Sequence, residues 1–335
     1  MELIELLEKL TAAFGPSGCE DGVRGVIADL IAPYVDEVRT DAMGSLIAHK
    51  KGEGKKLLFS AHMDSIGMIV THIEKEGFLR FGSLGWLPAL DIRRQGVVFR
   101  NGLRGTVSLP EDKEEDKEIK VDDLCIDIGA KDREDAETMV QIGDACVYES
   151  PCYTQNGKVF SRYLDNRSGC AVLISALSQI KNAKNDLWFV FSTQEEVGTR
   201  GAFGAAFSVA PETALVLETT TAADLPGVEG HRRVCAPGRG PVISYMDGGT
   251  IYDRGLFEDL RRLAEDNGIP WQTKEYIAGG NDARTIQRSR AGVRVAALSA
   301  AVRYLHAPAS VGSLADFEDM LALTRLFVAD QAARL

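Results

Sequence analysis

No stretch of this 335-residue chain approaches the ~18 consecutive apolar residues that a membrane-spanning helix requires. Its opening, MELIELLEKLTAAFG, has neither the basic start nor the apolar centre of a secretory signal. It is acidic, with Leu3, Leu6, Leu7 and Leu10 on one helical stripe. Positive charge is in deficit: 38 Lys and Arg stand against 49 Asp and Glu. The net charge of -11 argues against nucleic acid or an anionic membrane surface as a partner. Cysteine is sparse and scattered. Cys19, Cys125, Cys146, Cys152, Cys170 and Cys235 include no C-x-x-C pair, which speaks against a cysteine zinc site and a disulfide scaffold. They read as reduced thiols, and the chain as cytoplasmic. Histidine numbers only five, so each one is informative.

What is present is ordinary for a soluble globular protein: 45% apolar and 26% charged residues. The length exceeds what one core usually organises, so two domains, or one with a large insertion, are expected. Periodicity predicts helices over 19–35, 169–183, 255–269 and 314–335, and apolar strands over 46–48, 56–61, 187–193, 213–218 and 293–300. Strands separated by helices indicate a mostly parallel α/β sheet. Residues 69–156 break this pattern, with short β-type runs at 78–84, 96–109 and 144–150, frequent glycine and one predicted helix over 132–140. They read as a β-barrel domain inserted into an α/β domain made of 1–68 plus 157–335. The charge run over 110–123 reads as a solvated loop.

Chemistry concentrates in His62, Asp165, Glu195, Glu196, Glu218 and His306, each at or near the end of an apolar run. Two imidazoles and three carboxylates, one free to bridge, are what a pair of divalent cations needs, and a fourth carboxylate is left to act as general base. Asp64 lies two residues beyond His62 and shares its face on extended backbone, so it can accept from the far ring nitrogen and fix the tautomer. Taken alone, that H-x-D is more often structural. Asp165 either caps the helix that follows or, if Asn166 or Ser168 caps it, points away and is free to bind. The 187–193 strand delivers Gln194, Glu195 and Glu196 to its carboxyl end, where open α/β sheets place ligands. One acid can bind metal while its neighbour takes a proton. The bland account, an acidic first helical turn, is opposed by Gly198 and Gly201, which signal a tight turn. His49 and His231 sit in polar settings and His72 in the insert, leaving His62 and His306 as the pair of choice.

The runs AHMDSIGMIV, LDNRSGCAVLI, TQEEVGTRGA, GGNDARTI and RYLHAP occur in this order, with DDLCIDIGAKDREDA and QIGDACVYES inside the insert. In content and order the chain resembles, over nearly its full length, the M42 family of metallo-aminopeptidases, which includes glutamyl and tetrahedral aminopeptidases. The resemblance implies a three-layer, zinc-peptidase-like catalytic domain with an inserted dimerisation barrel. It implies two divalent metals, usually zinc or cobalt, bridged by Asp165. His62 and Glu218 would complete one site, Glu196 and His306 the other. Glu195 would be the general base and Asp64 the partner that orients His62. Substrates would be short peptides, and dimers would build a homo-oligomer up to a hollow tetrahedral dodecamer. On charge alone, two dications against three carboxylates leave the site net positive, which favours a metal-bridging hydroxide as nucleophile near neutral pH.

Several positions depart from the family pattern. Glu218 stands where Asp is usual, and one methylene moves a carboxylate by about 1.5 Å, which bears on that metal's affinity. Ala307 to Ser310 lack the Ser and Glu that commonly follow the histidine. Asn281 and Arg284 replace a Thr and a small residue. Arg284 would favour acidic side chains if it faced the pocket and is otherwise a surface residue. Two competing readings are a two-metal amidohydrolase acting on N-acyl amino acids and an inactive relative that assembles or binds carbohydrate.

Overall fold

Apolar strands buried on both faces set the architecture. In the computed structural model, which describes residues 1–113, 118–181 and 183–334, three strands come first. They are β1 (Glu37–Thr40), β2 (Leu46–Lys50) and β3 (Lys56–His62). Six more follow: β4 (Gly67–Ile73), β5 (Leu79–Leu84), β6 (Gly96–Phe99), β7 (Arg104–Ser108), β8 (Cys125–Asp127) and β9 (Ala145–Tyr148). The last seven are β10 (Tyr153–Gln155), β11 (Lys158–Ser161), β12 (Asp186–Ser192), β13 (Thr213–Thr221), β14 (Val242–Ile243), β15 (Arg294–Val302) and β16 (Ser310–Ser313).

The main sheet has seven strands in the order β1-β2-β12-β3-β13-β15-β14. Its four central strands are parallel, and β1, β2 and β14 join antiparallel at the edges. Strand periodicity of two sends Leu57, Phe59 and Ala61 of β3 into one core and Leu58 into the other. The first core includes side chains from the helices Leu3–Ala12, Asp21–Ile31, Leu164–Gln179, Arg254–Asp266 and Leu314–Ala333. The second includes side chains from Arg200–Val209 and Ala283–Ile286. This gives three layers, as an α/β sheet buried on both faces requires. Each buried Leu or Phe contributes roughly 1.5–3 kcal/mol, so the strand ends are mounted on a rigid floor.

β4-β5-β8-β7-β6-β9 close into a barrel, which leaves no free sheet edge. Met68, Val70, Leu79, Phe81, Val97 and Phe99 belong to its core. Beyond the barrel, β10 and β11 form a small sheet with β16, tying the returning chain to the segment after β15. The predicted elements are recovered with shifted ends. The helix expected from residue 169 starts at Leu164, the 132–140 helix shortens to Arg133–Glu137, and a further short helix, Ala89–Ile92, follows Pro88. Of the charge run expected as a loop, residues 114–117 lie outside the described residues, and Val121–Asp123 make one 3-10 turn. Among the described residues no helix is long and apolar enough to cross a membrane. All six cysteines are free thiols.

Arg167, with no exposed surface, anchors the N-terminal segment beneath the strand ends. Its guanidinium donates to the carbonyls of Leu10, of Ala13 at 3.2 Å and of Gly15 at 3.1 Å. Burial pulls the group down to about 10, still charged at neutral pH. Arg167→Met leaves the Leu10 and Ala13 carbonyls without this donor, while the Gly15 carbonyl keeps the Ser65 N–H at 3.1 Å, and an unsatisfied buried acceptor costs about 1–3 kcal/mol. The expected loss is about 3 kcal/mol or more, read as a lower urea midpoint at unchanged slope. A loss below about 1 kcal/mol would show that other groups satisfy the carbonyls.

Candidate metal centre

The sheet order β12-β3-β13-β15 brings four motifs side by side at the carboxyl ends of parallel strands. β3 ends on His62, Glu195 and Glu196 follow β12, Glu218 lies in the distal half of β13, and His306 follows β15. Asp165 comes from the kink near the start of the Leu164–Gln179 helix, where its own backbone (φ -81°, ψ 111°) is not helical. There Asn166 takes the capping role: its Oδ1 accepts from the Gly169 N–H at 3.0 Å and its Nδ2 donates to the Leu217 carbonyl at 2.8 Å. Asp165 is thereby left to face the strand ends.

Its two oxygens face different histidines. Oδ1 lies 3.1 Å from His62 Nε2, and Oδ2 lies 3.2 Å from His306 Nε2. Glu218 Oε1 is 3.5 Å from His62 Nε2, and Glu196 Oε2 is 3.3 Å from His306 Nε2. Donors on a tetrahedral ion with bonds of about 2.0–2.2 Å stand about 3.3–3.6 Å apart, so these four histidine–carboxylate distances agree with that spacing to within a few tenths of an ångström. His62, Asp165 and Glu196 also offer ligand atoms that all lie within 4.8 Å of one another.

The other ring nitrogens meet backbone oxygens: His62 Nδ1 meets the Asp64 carbonyl at 3.2 Å, and His306 Nδ1 the Trp86 carbonyl at 3.1 Å. A neutral imidazole that donates from Nδ1 turns a bare Nε2 lone pair toward Asp165, lone pair against lone pair. A cation between them, or a proton, resolves the conflict. Asp64 therefore orients His62 chiefly through its backbone, its carboxylate standing 3.5 Å from the ring. That carboxylate instead holds the next strand end, accepting from Glu195 N–H at 3.0 Å, Glu196 N–H at 3.2 Å and the Ser17 hydroxyl at 2.6 Å.

Electrostatics describe a crowded anionic cluster. Burial pushes Glu196 up to about 8 and Glu218 up to about 7, with the histidines opposing and Asp165 adding. For His306, burial pulls downward, but the bond to Asp165 and the charge of Glu196 outweigh it and push the ring to about 9. Desolvation pushes Asp165 upward too, yet its two histidine partners hold it well below the usual carboxylate range. Glu196 Oε1 and Glu218 Oε2 are buried with no hydrogen-bond partner. Orphaned carboxylate oxygens beside imidazole nitrogens are what cation ligands look like. The longer Glu218 still reaches His62, while Thr219 N–H holds its Oε1 at 2.9 Å.

Sequence reasoning missed the supporting groups. Glu20, buried, accepts from Gln194 N–H at 3.2 Å and supports a residue in the left-handed region, φ 55°. The barrel contributes Gly85 and Trp86. At Gly85 (φ +86°) an added Cβ would sit 2.7 Å from Ile66 and 3.1 Å from Glu196 Cβ. Lys274 also lines the site cavity, whereas Arg284 is exposed and its stem lies over Gly249. A larger cavity, 570 Å³, lies beside Ala183, Lys184, Asn185 and the C-terminal helix, and contains none of the ligand candidates; the chemistry favours the smaller one.

The comparisons with known proteins agree in one direction. Residues 44–323 match the model of the M42 glutamyl aminopeptidase family. A putative aminopeptidase of Acetivibrio thermocellus is 40% identical, covering 96% of this chain and 97% of that protein. The lysyl aminopeptidase of Pyrococcus furiosus is 33% identical over 96% and 95%. Among solved structures, an aminopeptidase from Desulfurococcus kamchatkensis superposes with a TM-score of 0.94 at 34% identity, covering 98% of this chain and 94% of that one. The TET1 peptidase of Pyrococcus horikoshii, which can assemble into a tetrahedron or a large octahedral shell, gives 0.87 at 33% identity over 98% and 99%. Since family model, relatives and structures all span most of the chain, the chain belongs to the M42 family and is an aminopeptidase.

Proposed function

We propose that this protein is a co-catalytic two-metal aminopeptidase that releases N-terminal residues from short peptides. The supporting observation is Asp165, whose two oxygens each face a different imidazole, each imidazole in turn facing one glutamate. His62 and Glu218 would hold one cation, Glu196 and His306 the other, with Asp165 shared. The bound cations, zinc or cobalt, would supply Lewis acidity toward the scissile carbonyl and lower the pKa of water. Glu195 lines the same cavity and takes the proton from the attacking water, then passes it to the leaving nitrogen. Ser17, Glu20 and Asp64 hold the Glu195–Glu196 turn so that one acid faces the cations and the other the water. The barrel, apart from covering the site with Gly85 and Trp86, would be the dimerisation module of an insert spanning 69–156. Dimers of the 36.4 kDa chain would build a hollow dodecamer, measurable by light scattering.

Metal analysis beside a panel of amino-acid amides and N-acylated amino acids tests the reading. Two cations per chain and hydrolysis only of substrates with a free α-amine are expected. Cleavage of acylated substrates would favour an amidohydrolase, and inertness with both cations bound would favour a non-catalytic relative.

Metal uptake is also expected to release protons. Below about pH 7 the metal-free Glu196 and Glu218 carry protons, because their values are pushed to about 8 and 7, and His306 carries one below about 9. Ligands must give these up to bind. Apparent affinity should therefore rise with pH up to about 9, where the last of these ligands, His306, gives up its proton, and calorimetry in buffers of different ionisation enthalpy should count more than one proton released at pH 6. Uptake without proton release would contradict this ligand set.

A further inference from the structure

We propose that Tyr252 is a positioning residue of the substrate cavity: with Asp247 it fixes Asn281 and, through it, the Gly279–Gly280 wall that meets the first side chain of the substrate. This deepens the aminopeptidase reading and rests on it. The cavity is small, 140 Å³, against the roughly 300–1,000 Å³ of sites that enclose drug-sized ligands. It suits one side chain rather than several residues, so a small displacement of one wall changes the fit.

Gly279, Gly280 and Asn281 belong to its lining. The two glycines cannot hold themselves in place. Glycine loses more backbone freedom on ordering than any other residue, and Gly279 sits at φ +68°. Among the described residues Gly280 makes no hydrogen bond, and Gly279 only accepts one, from the Gly248 N–H at 2.8 Å. The strip is therefore held from its flanks, by Gly248 on one side and Asn281 on the other.

Asn281 is buried, and both ends of its amide are engaged. Nδ2 donates to the Tyr252 hydroxyl at 3.0 Å, and Oδ1 accepts from the Ala283 N–H at 2.9 Å. The Tyr252 hydroxyl in turn donates to Asp247 Oδ2, while Asp247 Oδ1 accepts from the Gly249 and Thr250 N–H groups, both at 2.7 Å. Asp247 thus serves both flanks: it shapes the turn that carries Gly248 and, through Tyr252, orients Asn281. The fit is tight, since a Cβ added at Gly248 would sit 2.7 Å from the Gly279 oxygen. The turn is moored to the main sheet by the Asp253 N–H, which donates to the Val295 carbonyl at 3.0 Å.

Stability alone does not account for this chain of contacts. Asp247 and Tyr252 are buried, and apolar residues of similar volume often fold at least as well as a buried charged network. Apolar packing would not supply direction. The hydrogen bonds set one orientation for Asn281 and one position for the wall beside it.

The test uses metal-loaded wild type and Tyr252→Phe, which keeps the ring and removes only the hydroxyl, with thermal melting and metal content to confirm an intact protein. On the side-chain-bearing amide that wild type cleaves best, KM should rise on the order of 10-fold, the scale of losing a hydrogen bond to a charged group, with kcat little changed. Glycyl amide, which has no side chain to meet the wall, should keep its KM. An equal rise for both amides overturns the inference, and so does a fall in kcat at unchanged KM or no change at all. A cycle with Asn281→Ala separates positioning from general loosening: the double variant should raise KM no further than Asn281→Ala alone, and additive effects overturn the proposal. Amide exchange read by mass spectrometry reports on the wall without turnover. Peptides covering 247–252 and 281–285 should exchange faster in Tyr252→Phe while those of β13 keep their protection; unchanged exchange overturns the inference whatever the activity. Faster exchange in the variant, with no amide cleaved by metal-loaded wild type, would sink the aminopeptidase reading and leave the anchored wall in place.

Discussion

Asp165→Asn is expected to strip at least one cation from the protein and to lower kcat/KM on an amino-acid amide by roughly 1,000-fold or more, since bound cations supply several kcal/mol of transition-state stabilisation. Asparagine keeps the size and shape of the side chain, so the folded chain should persist. It can offer an oxygen to only one of the two imidazoles. The other, His62 Nε2 at 3.1 Å or His306 Nε2 at 3.2 Å, then faces an amide N–H donor. That donor satisfies a neutral imidazole and occupies the space of a shared ligand, so the variant favours a metal-poor state. Circular dichroism should show native helix and strand content. Elemental analysis after dialysis should show one equivalent of metal or less, and excess metal should not restore turnover. Two tightly held equivalents and activity within tenfold of wild type would mean that Asp165 bridges nothing.

The same residue shows why much of this site could be read from sequence. His62 ends β3, Glu195 and Glu196 follow β12, Glu218 lies in the distal half of β13 and His306 follows β15, each after a mainly apolar run, and the parallel order places those ends together. Asp165 sits in a turn with two candidate caps. Only the bond from Gly169 N–H to Asn166 Oδ1 decides which residue caps and which faces the cleft. The mostly parallel sheet followed from apolar strands separated by helices, whereas helix ends shifted because capping and turn geometry, not periodicity, set them.

What stayed hidden was of two kinds. Trp86 acts through a backbone carbonyl, a group every residue carries, so no side-chain pattern announces it. Ser17 and Glu20 act across 47 and 174 residues of chain, and a loop's partner at that distance is a matter of tertiary approach. Lys274 lies in WQTKEYIAGG, where a lysine beside a glutamate reads as surface. Its burial comes from the neighbours instead: Thr273 Oγ1 donates to the Ile243 carbonyl and Gln272 to those of Ala236 and Gly240, drawing the segment onto the sheet edge.

Glu195→Gln should do the opposite of Asp165→Asn: keep both cations and lose turnover by roughly 100- to 10,000-fold, the range that a positioned general base supplies. The backbone N–H of residue 195 still bonds Asp64 Oδ1 at 3.0 Å after the change, and Glu196 keeps its own N–H bond to Asp64 Oδ2 at 3.2 Å. The ligand beside it is therefore not displaced, and the amide fills the same volume. What disappears is the site that accepts a proton. Burial holds the Glu195 carboxyl well above the ordinary carboxylate range; His62 opposes this, while Asp282, Glu218 and Glu196 add to it. Bound cations act downward. Whatever value results, a general base must be deprotonated to work, so wild-type kcat/KM should fall on the acid side of its profile, and that limb should flatten in the variant. KM should change little, since glutamine removes no ligand and no wall of the cavity. Loss of a cation from Glu195→Gln would turn Glu195 into a ligand. Retained metal with an unchanged acid limb would move the proton transfer to another group, Asp282 being the buried carboxyl whose charge already reaches Glu195.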